Sequence, residues 1–165
     1  MTRDQFWETI ERAREGASDA YEVAAQLQRE LESKTLEQIE AFLEHQARLM
    51  ERSYDWSLWG AAYLLNGGCS DDGFDYFRGW LLAQGQAVFE QALRDPDSLA
   101  DRVEEMDEAT CEDMIGAAVS AYREKTGRYP EGGGMKLPDL GPSWDFDDDA
   151  EMQRRYPKTF AKFGA

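Results

Sequence analysis

The chain has 165 residues, a length that fits one domain and allows about 70% of the unfolded surface to be buried. Its 34 acidic against 18 basic side chains leave a formal net charge of −16, which excludes nucleic-acid or anionic-membrane binding through a broad basic face. Two cysteines make no disulfide framework, the charged start MTRDQFWETI is unlike a secretory signal, and no apolar run nears the roughly 20 residues of a membrane helix; a cytoplasmic protein with reduced thiols is expected.

The apolar spacing predicts helices in chain order. Thr2 followed by Gln5 forms a capping box opening a helix that buries Phe6, Ile10 and Ala13 and stops near Gly16. Ser18 starts a second, with Ala20, Val23, Leu27 and Leu31 inward. Thr35 and Gln38 box the start of a third, whose stripe is Leu36, Ile39, Leu43 and Met50, flanked by Phe42, Ala47 and Leu49. Asp55 caps Trp56–Leu65, which is apolar nearly all round and so predicts the most buried helix. Gly67 and Gly68 supply a left-handed C-cap. Ser70 or Asp71 then caps a helix to about Gly85 with Phe74, Phe77, Leu81 and Leu82 inward, and Ala87–Leu93 forms a short further helix ended by Asp95-Pro96-Asp97. Residues 97–108 read as an acidic loop with short turns; Thr110 with Asp113 opens a last long helix, with Met114, Ala117, Ala118, Ala121 and Tyr122 inward, to Gly127.

Beyond Gly127 the texture changes. Gly132-Gly133-Gly134, Pro138, Gly141 and Pro142 forbid regular structure. A short basic helix follows and ends before Pro157. Trp144, Phe146, Tyr156, Phe160 and Phe163 would each gain about 1.5–3 kcal/mol on burial, so this tail is expected to wrap back onto the helices. The expected fold is a single all-α domain over residues 1–165, a bundle of about seven helices in 1–127 with an irregular, aromatic-anchored tail in 128–165 packed on it.

Two carboxylate groups could carry chemistry. Asp71 and Asp75 stand four apart on one helix face, beside Asp72 and Arg78, and such carboxylates can share a hard cation. Aspartates in a first helical turn also serve the helix dipole and need no further purpose. Asp145, Asp147 and Asp149 alternate like the start of a calcium-binding EF-hand loop, but Ala150 stands where glycine is required and Tyr156 where glutamate is; with Asp148 they also read as helix caps, Trp144 and Phe146 being anchors. His45, the only histidine, falls at the edge of the core face of its helix. Cys69, before a helix start, sits where a thiol can have a lowered pKa, without a catalytic partner nearby. No phosphate-binding, dinucleotide, zinc-protease or serine-hydrolase motif occurs, and the Gly132–Gly134 run has neither a preceding strand nor a following helix.

The blocks Trp56-x-x-Trp59-Gly60-Ala61-Ala62-Tyr63, Asn66-Gly67-Gly68-Cys69-Ser70-Asp71-Asp72-Gly73-Phe74, Phe77-Arg78-x-Trp80-Leu81 and Trp144-Asp145-Phe146-Asp147-Asp148, with Phe6-Trp7 and Arg155-Tyr156-Pro157, resemble an uncharacterised, mainly actinobacterial family of domains of unknown function, some of whose members are fused to WGR-type modules. The resemblance supplies no activity; it implies that Asn66–Arg78 and Trp144–Asp149 act together.

Two functional readings stand side by side. One is a small non-enzymatic interaction or regulatory module whose acidic surface meets a basic protein, with no cofactor. Residues 95–113 hold nine acids against one base, the strongest such bias in the chain. The other is an enzyme or a binder of a small cationic ligand, with a site built from Asn66, Asp71, Asp72, Asp75, Arg78, Trp144, Asp145, Asp147 and Asp148.

Overall fold

The computed structural model describes residues 1–132 and 135–164; Gly133, Gly134 and Ala165, part of the expected tail, lie outside them. The described residues form an all-helical domain without strands. Seven helices make its body: α1 (Arg3–Arg14), α2 (Ala20–Glu32), α3 (Leu36–Arg52), α4 (Trp56–Leu65), α5 (Asp71–Ala83), α6 (Gln86–Arg94) and α7 (Glu112–Thr126). A 3₁₀ turn, Pro96–Asp101, links α6 to α7, and α8 (Asp149–Arg155) and α9 (Pro157–Phe163) close the chain.

Local chemistry sets most helix starts. Both capping boxes form, at Thr2 with Gln5 and at Thr35 with Gln38. Asp55 accepts from the Leu58 amide at 2.9 Å and the Ser70 hydroxyl accepts from the Gly73 amide at 3.1 Å. Two starts differ from the sequence reading. Asp19, not Ser18, caps α2, accepting from the Glu22 amide at 2.8 Å; its full charge suits the positive helix end better than a hydroxyl does. Cys111, not Thr110, is the N-cap of α7 and makes no side-chain cap bond. Its position is set from outside: its amide donates to the Tyr76 carbonyl of α5 at 3.0 Å. A methyl group on Gly79 would overlap the Cys111 carbonyl, so glycine is what lets α5 approach so closely.

Helix α7 packs on α2, α5 and α3. The inward faces read from spacing in α1, α2, α5 and α7 are all buried. The stripe of α3 is rotated: Ile39, Phe42, Gln46, Leu49 and Met50 are buried, Leu43 is half-buried and Leu36 is exposed. Gln46 is tolerated inside because its amide donates to the Ile115 carbonyl at 3.0 Å.

Helix α4 is covered on two sides, as its all-round apolar sequence requires. Leu58, Trp59, Ala62 and Leu65 enter the main core, while Ala61 and Leu64 form a second cluster with Met152 and Tyr156 of the tail. The tail thus packs on the helical body, and it is more regular than its sequence suggests. Pro157, expected only to end a helix, also begins α9, because the first helical position needs no amide hydrogen. The Tyr156 hydroxyl donates to the Ser57 carbonyl at 2.6 Å, and a methyl group at Gly60 would overlap it. Asp97, 7% exposed, accepts from the Lys158 and Thr159 amides at 3.0 and 2.8 Å and from the Thr159 hydroxyl at 2.8 Å.

Candidate functional site

The turn from α4 to α5 carries the first group of candidate residues. Asn66 is the C-cap of α4, and Gly67 and Gly68 follow with φ of +65° and +126°. Both lie where L side chains are strained, and the Gly68 amide closes the turn onto the Tyr63 carbonyl at 2.8 Å. The Asn66 side chain donates to the Ala109 carbonyl at 2.9 Å and accepts from the Ala109 amide at 3.2 Å. Asn66 therefore ties the end of α4 to the acidic segment before α7.

Asp71 and Asp72 are exposed in the first turn of α5. Asp75 and Arg78 are joined by an ion pair. Arg78 is fully buried, donates to the Met50 carbonyl at the end of α3, and lies 5.1 Å from the Tyr54 ring centre and 4.9 Å from that of Phe74. Burial pushes its guanidinium below the usual value and Asp75 opposes that shift. The Cys69 thiol is pushed up to about 12, chiefly by burial, so the lowering expected at a helix start is overridden and a thiolate nucleophile is disfavoured. His45 is half-buried against Phe6, its Nε2 3.0 Å from the Met1 carbonyl.

The second group lies in the tail. The Tyr63 hydroxyl of α4 donates to Asp147 at 2.5 Å, and this bond raises the Tyr63 pKa. Asp145 accepts from the Asp147 amide at 2.9 Å, shaping the turn before α8, and Asp148 caps α8 by accepting from the Glu151 amide at 3.1 Å. Asp149 is the first residue of α8. Trp144 donates to the Met152 sulfur at 3.3 Å and carries the Arg155 guanidinium 3.7 Å from its ring centre. Phe146 meets Trp56 and Tyr63 at 6.2 and 5.4 Å. Both groups thus attach to α4, but among the described residues no hydrogen bond or ion pair joins the 71–75 carboxylates to those of 145–149. Nor do three or more His, Cys, Asp or Glu side chains gather there so as to hold a metal ion.

The contact between the two groups is aromatic. Trp56 and Trp59 lie 5.1 Å apart, Trp59 and Phe74 4.5 Å, Phe74 and Phe77 6.0 Å, and Phe77 and Trp80 5.9 Å. This row runs from the tail through α4 and along α5. At its far end Trp80 lines a groove of about 580 Å³ together with Arg14, Tyr21, Arg102, Asp107 and Thr110. Sequence reasoning missed this groove, since its lining comes from α1, α2, α5 and the segment before α7. The one backbone signal is Asp107, the only non-glycine residue with positive φ, +70°, among those described.

That acidic segment is ordered from both sides. The Asp107 amide donates to the Leu65 carbonyl at 3.0 Å, and Glu108 accepts from the Glu104 and Glu105 amides at 3.1 and 3.0 Å. Of the nine acids in residues 95–113 only Asp97 is buried; the other eight are exposed. No described helix is long and apolar enough to cross a membrane.

Residues 1–124 match a family described as "protein of unknown function (DUF4240)", and the chain belongs to that family. The match ends within α7, so the tail lies beyond it. No curated protein and no solved structure matches the chain.

Proposed function

We propose that this DUF4240 domain is a non-enzymatic interaction module that presents its 95–113 segment to a basic protein partner. The observation that carries the reading is the pairing of eight exposed carboxylates with a backbone held by Asn66, Leu65 and the internal bonds of Glu108. A charged surface already held in shape binds without the cost of ordering a loop, and a net charge of −16 steers cationic surfaces toward it. By contrast, Asn66, Asp75, Arg78, Asp147 and Asp148 are engaged in bonds that hold helices and turns together. The two free cysteines suit a reducing, cytoplasmic setting.

The test is capture from native lysate at low and high salt, comparing wild type with a triple variant, Asp101→Asn, Glu104→Gln and Glu105→Gln. These side chains are exposed, so the fold should survive. The expected result is a basic protein retained by wild type, lost from the variant and released by salt. Retention that is indifferent to both the variant and salt, or no specific retention at all, would end this reading.

A further inference from the structure

We infer that the groove at the end of the aromatic row binds a small ammonium–carboxylate zwitterion. At about 580 Å³ it falls within the roughly 300–1,000 Å³ range of small-molecule sites. Trp80, 6% exposed, and Tyr21, which leaves 48% of its surface open, offer it aromatic surface. Arg102 and Asp107 line the same groove, are both exposed, and make no ion pair among the described residues. Asp107 also has the left-handed backbone noted above, held by the Leu65 carbonyl. Opposite charges left without partners in one aromatic-walled groove match a ligand carrying both signs. Its ammonium meets the open Tyr21 ring, where a cation is attracted to the face, and Asp107; its carboxylate meets Arg102, whose planar fork suits it.

The site shares Arg102 and Asp107 with the 95–113 segment, but the triple variant of the acidic-face test leaves Tyr21, Trp80, Arg102 and Asp107 unchanged, so the two readings fail separately. The experiment follows the Trp80 indole N–H signal of the full chain by nitrogen-15 NMR, assigned with Trp80→Phe. Glycine betaine and L-phenylalanine are the zwitterionic probes; tetramethylammonium chloride and sodium acetate are the single-charge controls. The expected result is a saturable shift with at least one zwitterion and weaker binding of both controls. Arg102→Gln and Asp107→Asn should each weaken that binding by about two- to fivefold, the worth of one exposed ion pair. Both positions are exposed and asparagine tolerates the left-handed backbone, so the variants should fold. The inference is overturned by the absence of saturation with either zwitterion, by equal affinity for tetramethylammonium, or by affinities that neither substitution alters.

Discussion

Arg78 lies wholly inside the domain, yet each side of its guanidinium has a use: Met50 and Phe74 carbonyls accept from it, Asp75 pairs with it and two rings flank it. Spacing alone placed it beside the α5 carboxylates as a candidate ligand group; its contacts make it a bolt between α3 and α5. Arg78→Met keeps the apolar stem and removes the charge. We expect a loss of about 2–3 kcal/mol in urea unfolding, below the range for fully buried pairs because Asp75 keeps a path to water. A variant as stable as wild type would show that the buried cation is dispensable. At the same scale, Cys69 shows how burial overturns a local expectation: a helix start favours the thiolate, but removal from water disfavours it more.

Among the elements, α9 is the least expected. Its own N-cap residue, Tyr156, makes no side-chain cap bond; the cap comes from Asp97, about sixty positions earlier, whose carboxylate accepts from two α9 amides and a hydroxyl. Lys162 ties the same elements from the other side, donating to the Ala100 carbonyl in the 3₁₀ turn and to the Val103 carbonyl just after it. Asp97→Ala should therefore cost about 2 kcal/mol, combining a lost cap with unsatisfied buried amides, and hydrogen exchange should show the α9 amides losing protection first. If α9 protection is unchanged in the variant, the clamp does not hold this helix. Asp-Pro-Asp is legible in the sequence as a helix breaker, and that reading is right for α6; what Asp97 caps is invisible because its partners are remote in the chain.

For the molecule as a whole, the tail completes the fold by covering the side of α4 that the body leaves open. Met152 and Tyr156 are buried at 1% and 2% exposure. A chain ending at Gly127 should lose several kcal/mol, since at least two large anchors and their contacts disappear. Thermal unfolding of the shortened chain measures this, and an unchanged midpoint would mean that the tail rests on the body without supporting it. The match to the family ends at residue 124, so this support comes from residues beyond the matched span.

Fold class, seven body helices and most of their buried faces were legible in the sequence, because caps and helical periodicity act over three or four residues. Thr2, Thr35, Asp55 and Ser70 each needed only their own first turn, and Gly67 and Gly68 only their backbone freedom. Trp56–Leu65 announced its burial through composition, without saying that two different layers would cover it. The tertiary structure alone decided the rotated stripe of α3, the start of α7 on the Tyr76 carbonyl, the remote cap of α9, and which carboxylates are engaged in holding the fold. It also brought Tyr21, Trp80, Arg102 and Asp107 to one groove. These outcomes depend on side chains from distant segments meeting in space, where burial and shared hydrogen bonds outweigh local preference; no spacing along the chain encodes them.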